Sequence, residues 1–245
     1  MSPLPRRVDA ETLDLLAQDD PASVRSRQDL RRLHRIMGTR SILSRALRAG
    51  RLPQRALRVL ELGAGDGSLM LRVAGALASR WPRVELTLLD RQALVSPATL
   101  RQYARLGWTA TAVRQDALDW ARDTGRAAEP ADAGARWDVI VANLFLHHFE
   151  ADELRGLLHA VAERCDHFVA CEPRRGRLAL LGAHLVGAVG ANSVTRGDAV
   201  LSVHAGFRDR ELCALWPTGA AAWTLREQPA GLFSHCFCAL RERVG

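Results

Sequence analysis

The chain has 245 residues, enough for one α/β domain with a sizeable core, and none of its apolar runs approaches the ~20 residues that span a bilayer. Its five cysteines form no C-x-x-C pair, which reads as buried free thiols in a reducing cytoplasm and gives only a weak metal signal. All 34 basic Lys/Arg residues are Arg, and the net charge of +7 comes from residues 1–58, where 13 Arg face 6 acids. Such an excess suits an acidic partner, although charge runs are more often a solvated helix face.

Residues 1–8 read as loose, and Met1 to Asp20 carries acids without an apolar central stretch, which does not fit a secretory signal. Asp20-Pro21 is an N-cap followed by proline at the first helical position. Val24, Leu30, Leu33, Ile36 and Met37 then lie near one helix face, and Arg31, Arg32 and Arg35 on another, before Gly38 breaks the helix. A second helix over 41–49 points Ile42, Leu43 and Leu47 inward and ends at Gly50. Residues 1–56 are expected to form an N-terminal helical cap with no core of its own, packed over the strand ends of a domain spanning 57–245.

From residue 58 the pattern alternates as in a doubly wound, mostly parallel sheet. Strands are expected at 58–62, 85–89, 109–114, 137–142 and 167–171, with helices near 68–79, 97–106 and 151–162 between them. Residues 123–134 read as a loop, 178–190 as an apolar helix interrupted by glycine, and 208–216 as a further helix. Two last strands, 222–227 and 234–241, flank Gln228-Pro229-Ala230-Gly231 and fit an antiparallel pair.

The most specific stretch is Val59-Leu60-Glu61-Leu62-Gly63-Ala64-Gly65-Asp66-Gly67, a buried strand, a tight turn and a helix start. Glycine lets the backbone take positive φ and lets a ligand approach closely. Asp90 ends the next strand, 23 residues after Gly67, near the offset at which a carboxylate meets ribose hydroxyls. The spacing is G-x-G-x-G, not the G-x-G-x-x-G of dinucleotide sites, and Glu61 and Asp66 would repel a pyrophosphate. They suit a ligand that carries an amino group and a sulfonium.

Glu61-Leu62-Gly63-Ala64-Gly65-Asp66-Gly67 resembles the E/D-x-G-x-G-x-G motif of class I S-adenosylmethionine-dependent methyltransferases. Their fold is a seven-stranded Rossmann-like sheet whose final strand runs against the others. The resemblance is specific over about 57–172 and architectural beyond. It implies S-adenosylmethionine as cofactor, with residues at four strand ends in named roles. Gly63, Ala64, Gly65 and Gly67 bring backbone to the methionine part, and Glu61 meets its ammonium. Asp90 accepts from both ribose hydroxyls and Arg91 lines the adenine. Asp116 accepts from the adenine amine while the Ala117 amide donates to a ring nitrogen, the alternative for Asp116 being a helix cap. Asn143 and Leu144 hold the methionine end, and Arg40 is placed by position to clamp the methionine carboxylate.

Leu146-His147-His148-Phe149 resembles the corresponding segment of ubiquinone- and menaquinone-type and related small-molecule methyltransferases, and so makes His147 and His148 the catalytic candidates. Methyl transfer needs an aligned nucleophile and exclusion of water, and a phenol or acid nucleophile benefits from a base of near-neutral pKa. The alternative is that either His caps a helix or packs on the cofactor. Adjacent histidines are not spaced as a helical metal pair, and no metal is expected. Phe145, Phe149, Leu180, His184 and Phe207 are candidates to line an apolar acceptor pocket, unless they are core. Arg174 or Arg175 would hold an acidic acceptor, unless both are solvated.

The expected activity is methyl transfer to a small-molecule acceptor, phenolic, quinone-like or of polyketide type, at O or C. An acidic carrier protein is a conceivable partner. A competing reading is an RNA or protein methyltransferase docking through the basic arm. Against it, the fourth strand lacks the Asn/Asp-Pro-Pro-aromatic tetrapeptide, and no interleaved basic and aromatic stripe is present. A third reading, a non-catalytic S-adenosylmethionine-binding partner, is opposed by the intact glycine turn and Asp90.

Overall fold

The computed structural model describes residues 4–50, 55–123, 136–219 and 222–242. Seven strands form one sheet: β1 (Leu57–Leu62), β2 (Val84–Asp90), β3 (Trp108–Arg114), β4 (Val139–Asn143), β5 (His167–Pro173), β6 (Trp223–Ala230) and β7 (Ser234–Arg241). Their order is β3-β2-β1-β4-β5-β7-β6, with β7 antiparallel to both of its neighbours and the remaining pairs parallel. The order reverses between β1 and β4, so the crevice outside their carboxyl ends is the natural place for a ligand.

The apolar runs of β4 and β5 are buried throughout, as strands covered on both faces require. Side chains alternate between two cores. Val59 of β1 joins Met70, Val73 and Leu77 of α4 (Ser68–Leu77), while Leu60 joins Leu154, Leu157 and Val161 of α7 (Ala151–Arg164). Helix α5 (Pro97–Arg105) starts at Ser96, whose side chain accepts from Thr99 N, and buries Tyr103 against Trp108. The expected fourth strand begins two residues later than its apolar run, because Trp137 makes only a single bridge to Cys165.

At the N-terminus α1 (Thr12–Leu15) is followed by α2 (Pro21–Ile36), capped by Asp20, and α3 (Thr39–Leu47), with Gly38 left-handed between them. Leu43 and Leu47 of α3 are fully buried in the core shared with β1 and α4. The inward face of α2 differs from expectation. Val24 and Ile36 are exposed, and the buried residues are Ser23, Ser26 and Asp29. The reason is α9 (Ser193–Ala205), which was not visible as a periodic segment and packs its N-terminus on α2. Asp29 accepts there from Asn192 N at 2.9 Å, and Ser26 donates to Asn192 Oδ1 at 3.1 Å.

The apolar stretch at 178–190 is α8 (Arg177–Leu185) continued by a single 3-10 turn. Two short helices complete the chain, α6 (Ala117–Arg122) and α10 (Glu211–Leu215). The final hairpin turns at Gly231, φ 72°, so Gln228 and Pro229 extend β6 instead of forming the turn. Most of the loop expected at 123–134 lies outside the described residues.

Candidate active site

The turn after β1 has Gly63, Gly65 and Gly67 at φ 68°, 56° and 71°, a conformation costly for residues with a Cβ. At Gly63 an added Cβ would lie 2.2 Å from Phe145 Cδ2, so that ring lies directly on the turn. Tyr103, fully buried, donates its hydroxyl to Gly67 O at 2.7 Å and fixes the turn from below. Ala64 N donates to Leu89 O at 3.0 Å, tying the turn to the end of β2.

Asp90 is a brace as well as a candidate ribose ligand. Its two oxygens accept from Gly65 N and Gln92 N, each at 2.8 Å, and each keeps a lone pair for a hydroxyl donor. Burial raises its pKa, against the lowering effect of those two amides. Glu61 is 3 % exposed, and burial, with Asp90 and Asp66 nearby, raises its pKa well above the usual carboxylate value. Three buried oxygens at this edge have no hydrogen-bond partner: Glu61 Oε2 on β1, Gln115 Oε1 after β3 and Asn143 Oδ1 ending β4. Buried acceptors without donors are costly, and these would be satisfied by a ligand that brings ammonium, amine or hydroxyl protons. The donor set of an S-adenosylmethionine molecule fits them.

Leu144 follows at φ 47°, a strained backbone for a branched residue, and donates its N–H to Cys171 O at 2.9 Å. The strain turns the chain so that the next residues meet Glu172. This carboxylate, at the end of β5 and fully buried, accepts from Phe145 N (3.1 and 3.2 Å), Leu146 N (3.0 Å) and His147 Nδ1 (2.8 Å). On its other edge His147 Nε2 lies 3.3 Å from Glu11 Oε1. Burial disfavours the imidazolium, but the two carboxylates prevail and raise the His147 pKa to about 9. His148 stacks on His147 with ring centroids 4.2 Å apart, and its Nδ1 lies 3.4 Å from Asp14 Oδ2. Burial and the neighbouring imidazolium lower its pKa.

Glu11 and Asp14 belong to a strap, residues 4–16, that crosses these strand ends. Arg6, placed in the stretch read as loose, donates to Ala205 O (2.8 Å) and Phe149 O (2.9 Å) and stacks on Phe207. Thr12 N and Leu13 N donate to the two oxygens of Asp198 at 2.8 and 2.9 Å, and Ser202 donates to Glu11. Between the strap, α2 and α9 a cavity of about 40 Å³ remains, lined in part by Glu11, Leu33 and Ser202.

Several expected site residues stand elsewhere. Arg91 binds Asp14 of the strap at 2.8 Å instead of facing an adenine. Arg40 is exposed, with no bond to the glycine turn; the arginine that reaches the turn is Arg31, whose Nε donates to Asp66 at 2.7 Å. Asp116 caps α6, accepting from Leu118 N at 2.7 Å, with Ala117 buried as the first residue of that helix. Phe145 and Phe149 pack edge-on, 5.1 Å apart, against the α7 core. His184 is exposed on α8, Leu180 packs in the small α8–α9 core, and Phe207 is fully buried under Arg6. Arg175 is not solvated: it is buried, donating to Leu4 O at 2.9 Å, to Gly206 O and to Glu211. Arg174 is half-buried and its N–H donates to Phe233 O at 2.8 Å. The residues that composition and spacing did not single out are Glu11, Arg31, Tyr103, Gln115 and Glu172; of these only Glu172, an acid ending an apolar strand, carried a visible signal.

The strand order, the glycine turn and the acid after β2 define an α/β protein of the doubly wound kind. Residues 60–167 match the family model described as a methyltransferase domain. The fold is shared with an O-methyltransferase family protein from Burkholderia thailandensis, TM-score 0.56 at 17% identity over 91% of this chain, which spans 60% of that protein's length. It is shared with magnesium protoporphyrin IX methyltransferase from Synechocystis PCC 6803 with bound SAH, TM-score 0.54 at 16% identity over 88% of this chain and 86% of that one. Human N-acetylserotonin methyltransferase in complex with SAM gives a TM-score of 0.51 at 13% identity, over 93% of this chain and 61% of that one. No curated protein matches the sequence. Residues 60–167 thus match a methyltransferase domain, and the fold is the one these S-adenosylmethionine-dependent methyltransferases share.

Proposed function

We propose that this chain transfers the methyl group of S-adenosylmethionine to a small-molecule acceptor bearing a phenolic, quinone-like or polyketide-type O or C nucleophile. The observation that carries the reading is the convergence, at one sheet edge, of the glycine turn, the unpartnered oxygens of Glu61 and Asn143, and the His147–His148 turn. Bound there, the cofactor supplies a methyl carbon activated by its sulfonium.

The residues divide the remaining work. Glu61 receives the ammonium, which restores its charged form by supplying the missing counter-ion. Asp90 accepts from the ribose hydroxyls while bracing the turn, and Gln115 accepts from the adenine side. His147, charged between Glu172 and Glu11, is a positioning residue and not the base. His148 takes the acceptor's proton: its lowered pKa keeps it neutral near pH 7, and its side chain is 24% exposed where that of His147 is 3%. The strap lies against His147 and His148 through Glu11 and Asp14 and excludes water from the reacting centre. The strap and α2 act as the cap, and the exposed arginines of α2 suit an acidic carrier presenting the acceptor.

The test is turnover of methyl-labelled cofactor against a panel of phenolic, quinol and polyketide-like acceptors. His148→Ala is expected to lower turnover on the accepted compound by roughly 100-fold or more with cofactor affinity nearly unchanged. Unaltered turnover makes His148 structural, and transfer only to RNA or protein sinks the small-molecule reading.

A further inference from the structure

We infer that Glu11, His147 and His148 form a binding site for one divalent transition-metal ion, with Zn²⁺ the ion its ligand chemistry favours. The inference concerns a site and a ligand that methyl transfer does not require, and it stands whether or not the acceptor reading holds. Among the described residues this is the one set of three such side chains whose ligand atoms all lie within 4.8 Å of one another.

The distances fit a metal site. His147 Nδ1 lies 2.8 Å from Glu172, the length of a charge-assisted hydrogen bond. His147 Nε2 lies 3.3 Å from Glu11 Oε1, longer than such a bond. Two ligand atoms of a tetrahedral zinc, each about 2.0–2.1 Å from the ion, stand about 3.3–3.4 Å apart. The His147–Glu11 edge is therefore already at coordination distance, and the His148 ring nitrogen has at most about 1.5 Å to close.

The surroundings are those that metal ligands need. A ligating histidine almost always gives its other ring N–H to a carboxylate or carbonyl, which fixes the tautomer that leaves Nε2 free. Glu172 does this for His147 and is itself held by two backbone amides. Ser202 donates to Glu11, and Asp14 faces His148. Two imidazoles and a carboxylate favour Zn²⁺ over Mg²⁺, which takes oxygen ligands. Three protein ligands leave a fourth position open. The ion would draw the strap onto the 3-10 turn Leu146–His148, since Glu11 and His147 are 136 residues apart in the chain. An occupied site also engages the lone pair of His148, so metal binding and proton abstraction by that residue compete.

The experiment is equilibrium dialysis of the full chain against Zn²⁺, with absorption spectra of the Co²⁺-loaded protein as a second readout. One Zn²⁺ per chain is expected, with visible Co²⁺ bands of a four-coordinate N/O site and no near-ultraviolet thiolate band. Glu11→Gln and His148→Asn should each weaken binding at least as much as Glu172→Gln, for which the orienting role predicts roughly 10–100-fold. His159→Ala, on the exposed face of α7, should leave affinity unchanged. Near-ultraviolet circular dichroism checks that each variant is folded, and the wild-type stoichiometry and spectrum stand without any variant. Absence of stoichiometric binding overturns the site. So does a thiolate band, or affinity that Glu11→Gln and His148→Asn leave intact. These readouts use neither cofactor nor acceptor, so failure here leaves the methyl-transfer reading to its own test.

Discussion

Replacing Gly63 with alanine separates two costs that Gly65 does not share. Both residues are left-handed, at φ 68° and 56°, so an alanine at either pays about 1–2 kcal/mol of backbone strain. At Gly65 nothing lies within 4 Å of the added carbon. At Gly63 that carbon falls 2.2 Å from Phe145 Cδ2, and the ring must retreat by about 1.3 Å or more to restore a contact of 3.5–4.0 Å. Retreat is opposed by Phe149, edge-on at 5.1 Å, and by the Phe145 amide held on Glu172. Overpacking of this kind costs about 1–3 kcal/mol, so Gly63→Ala should lose roughly 2–5 kcal/mol in all. For a chain of this size that is a fall in melting temperature of roughly 4–20 °C, against about 2–8 °C for Gly65→Ala. Thermal and urea melts of the two variants are the assay, with cofactor titration alongside. Gly65→Ala should impair cofactor binding out of proportion to its stability loss, since the proposed cofactor site runs along its backbone. Equal destabilisation by the two substitutions would refute the claim that Phe145 is pressed on the turn.

Tyr103→Phe should destabilise by about 0.5–1.5 kcal/mol in urea melts, because it removes one buried hydrogen bond to Gly67 O, which keeps its helical bond from Leu71 N. Glu61→Gln should weaken S-adenosylmethionine binding in calorimetry while leaving the free protein as stable or more so near neutral pH. The sign follows from its raised pKa: the folded chain holds the proton more tightly, so stability is full below 4.5 and falls as pH rises through the raised value, a slope the variant should lack. For His147 the folded pKa of about 9 exceeds the ordinary imidazole value of 6.5, so its contribution is complete below 6.5 and is lost as pH rises through about 9. Hydrogen exchange of strap amides in residues 6–16 should accelerate over that window, and unchanged protection would detach the strap from His147. Arg31→Ala should shift stability by no more than about 1 kcal/mol, as the pair is half exposed, and should loosen the glycine turn's grip on cofactor.

The sheet was legible because its strands are short, apolar and closed by turn residues, and because the glycine turn and Asp90 use spacings that a ligand imposes. Boundaries drifted where bridging replaced pairing, as at Trp137, and where proline sat in an edge strand, as at Pro229. The buried face of α2 was misread because a polar helix surface can be buried when a capping asparagine and a helix N-terminus face it, and Asn192 gives no periodic signal 163 residues from Asp29. The same limit governs the site. Glu61, Asp90 and Asn143 sit at strand ends, where position in sequence implies position in space. Glu11 and Arg31 reach the site from an arm whose docking depends on tertiary contacts alone; Arg40, expected at the methionine carboxylate, is exposed, while Arg31 of α2 bonds Asp66 of the turn. His147 and His148 were found together, but their opposite electrostatics come from Glu172 and Glu11, which neighbour them only in the fold.

The most direct test of the central claim is calorimetric titration of the purified chain with S-adenosylmethionine, with NAD as control. The account predicts saturable binding of S-adenosylmethionine at one site in the micromolar range, weakened in Asp90→Ala, and no binding of NAD. Absence of S-adenosylmethionine binding by the folded chain, or equal binding of NAD, would contradict it.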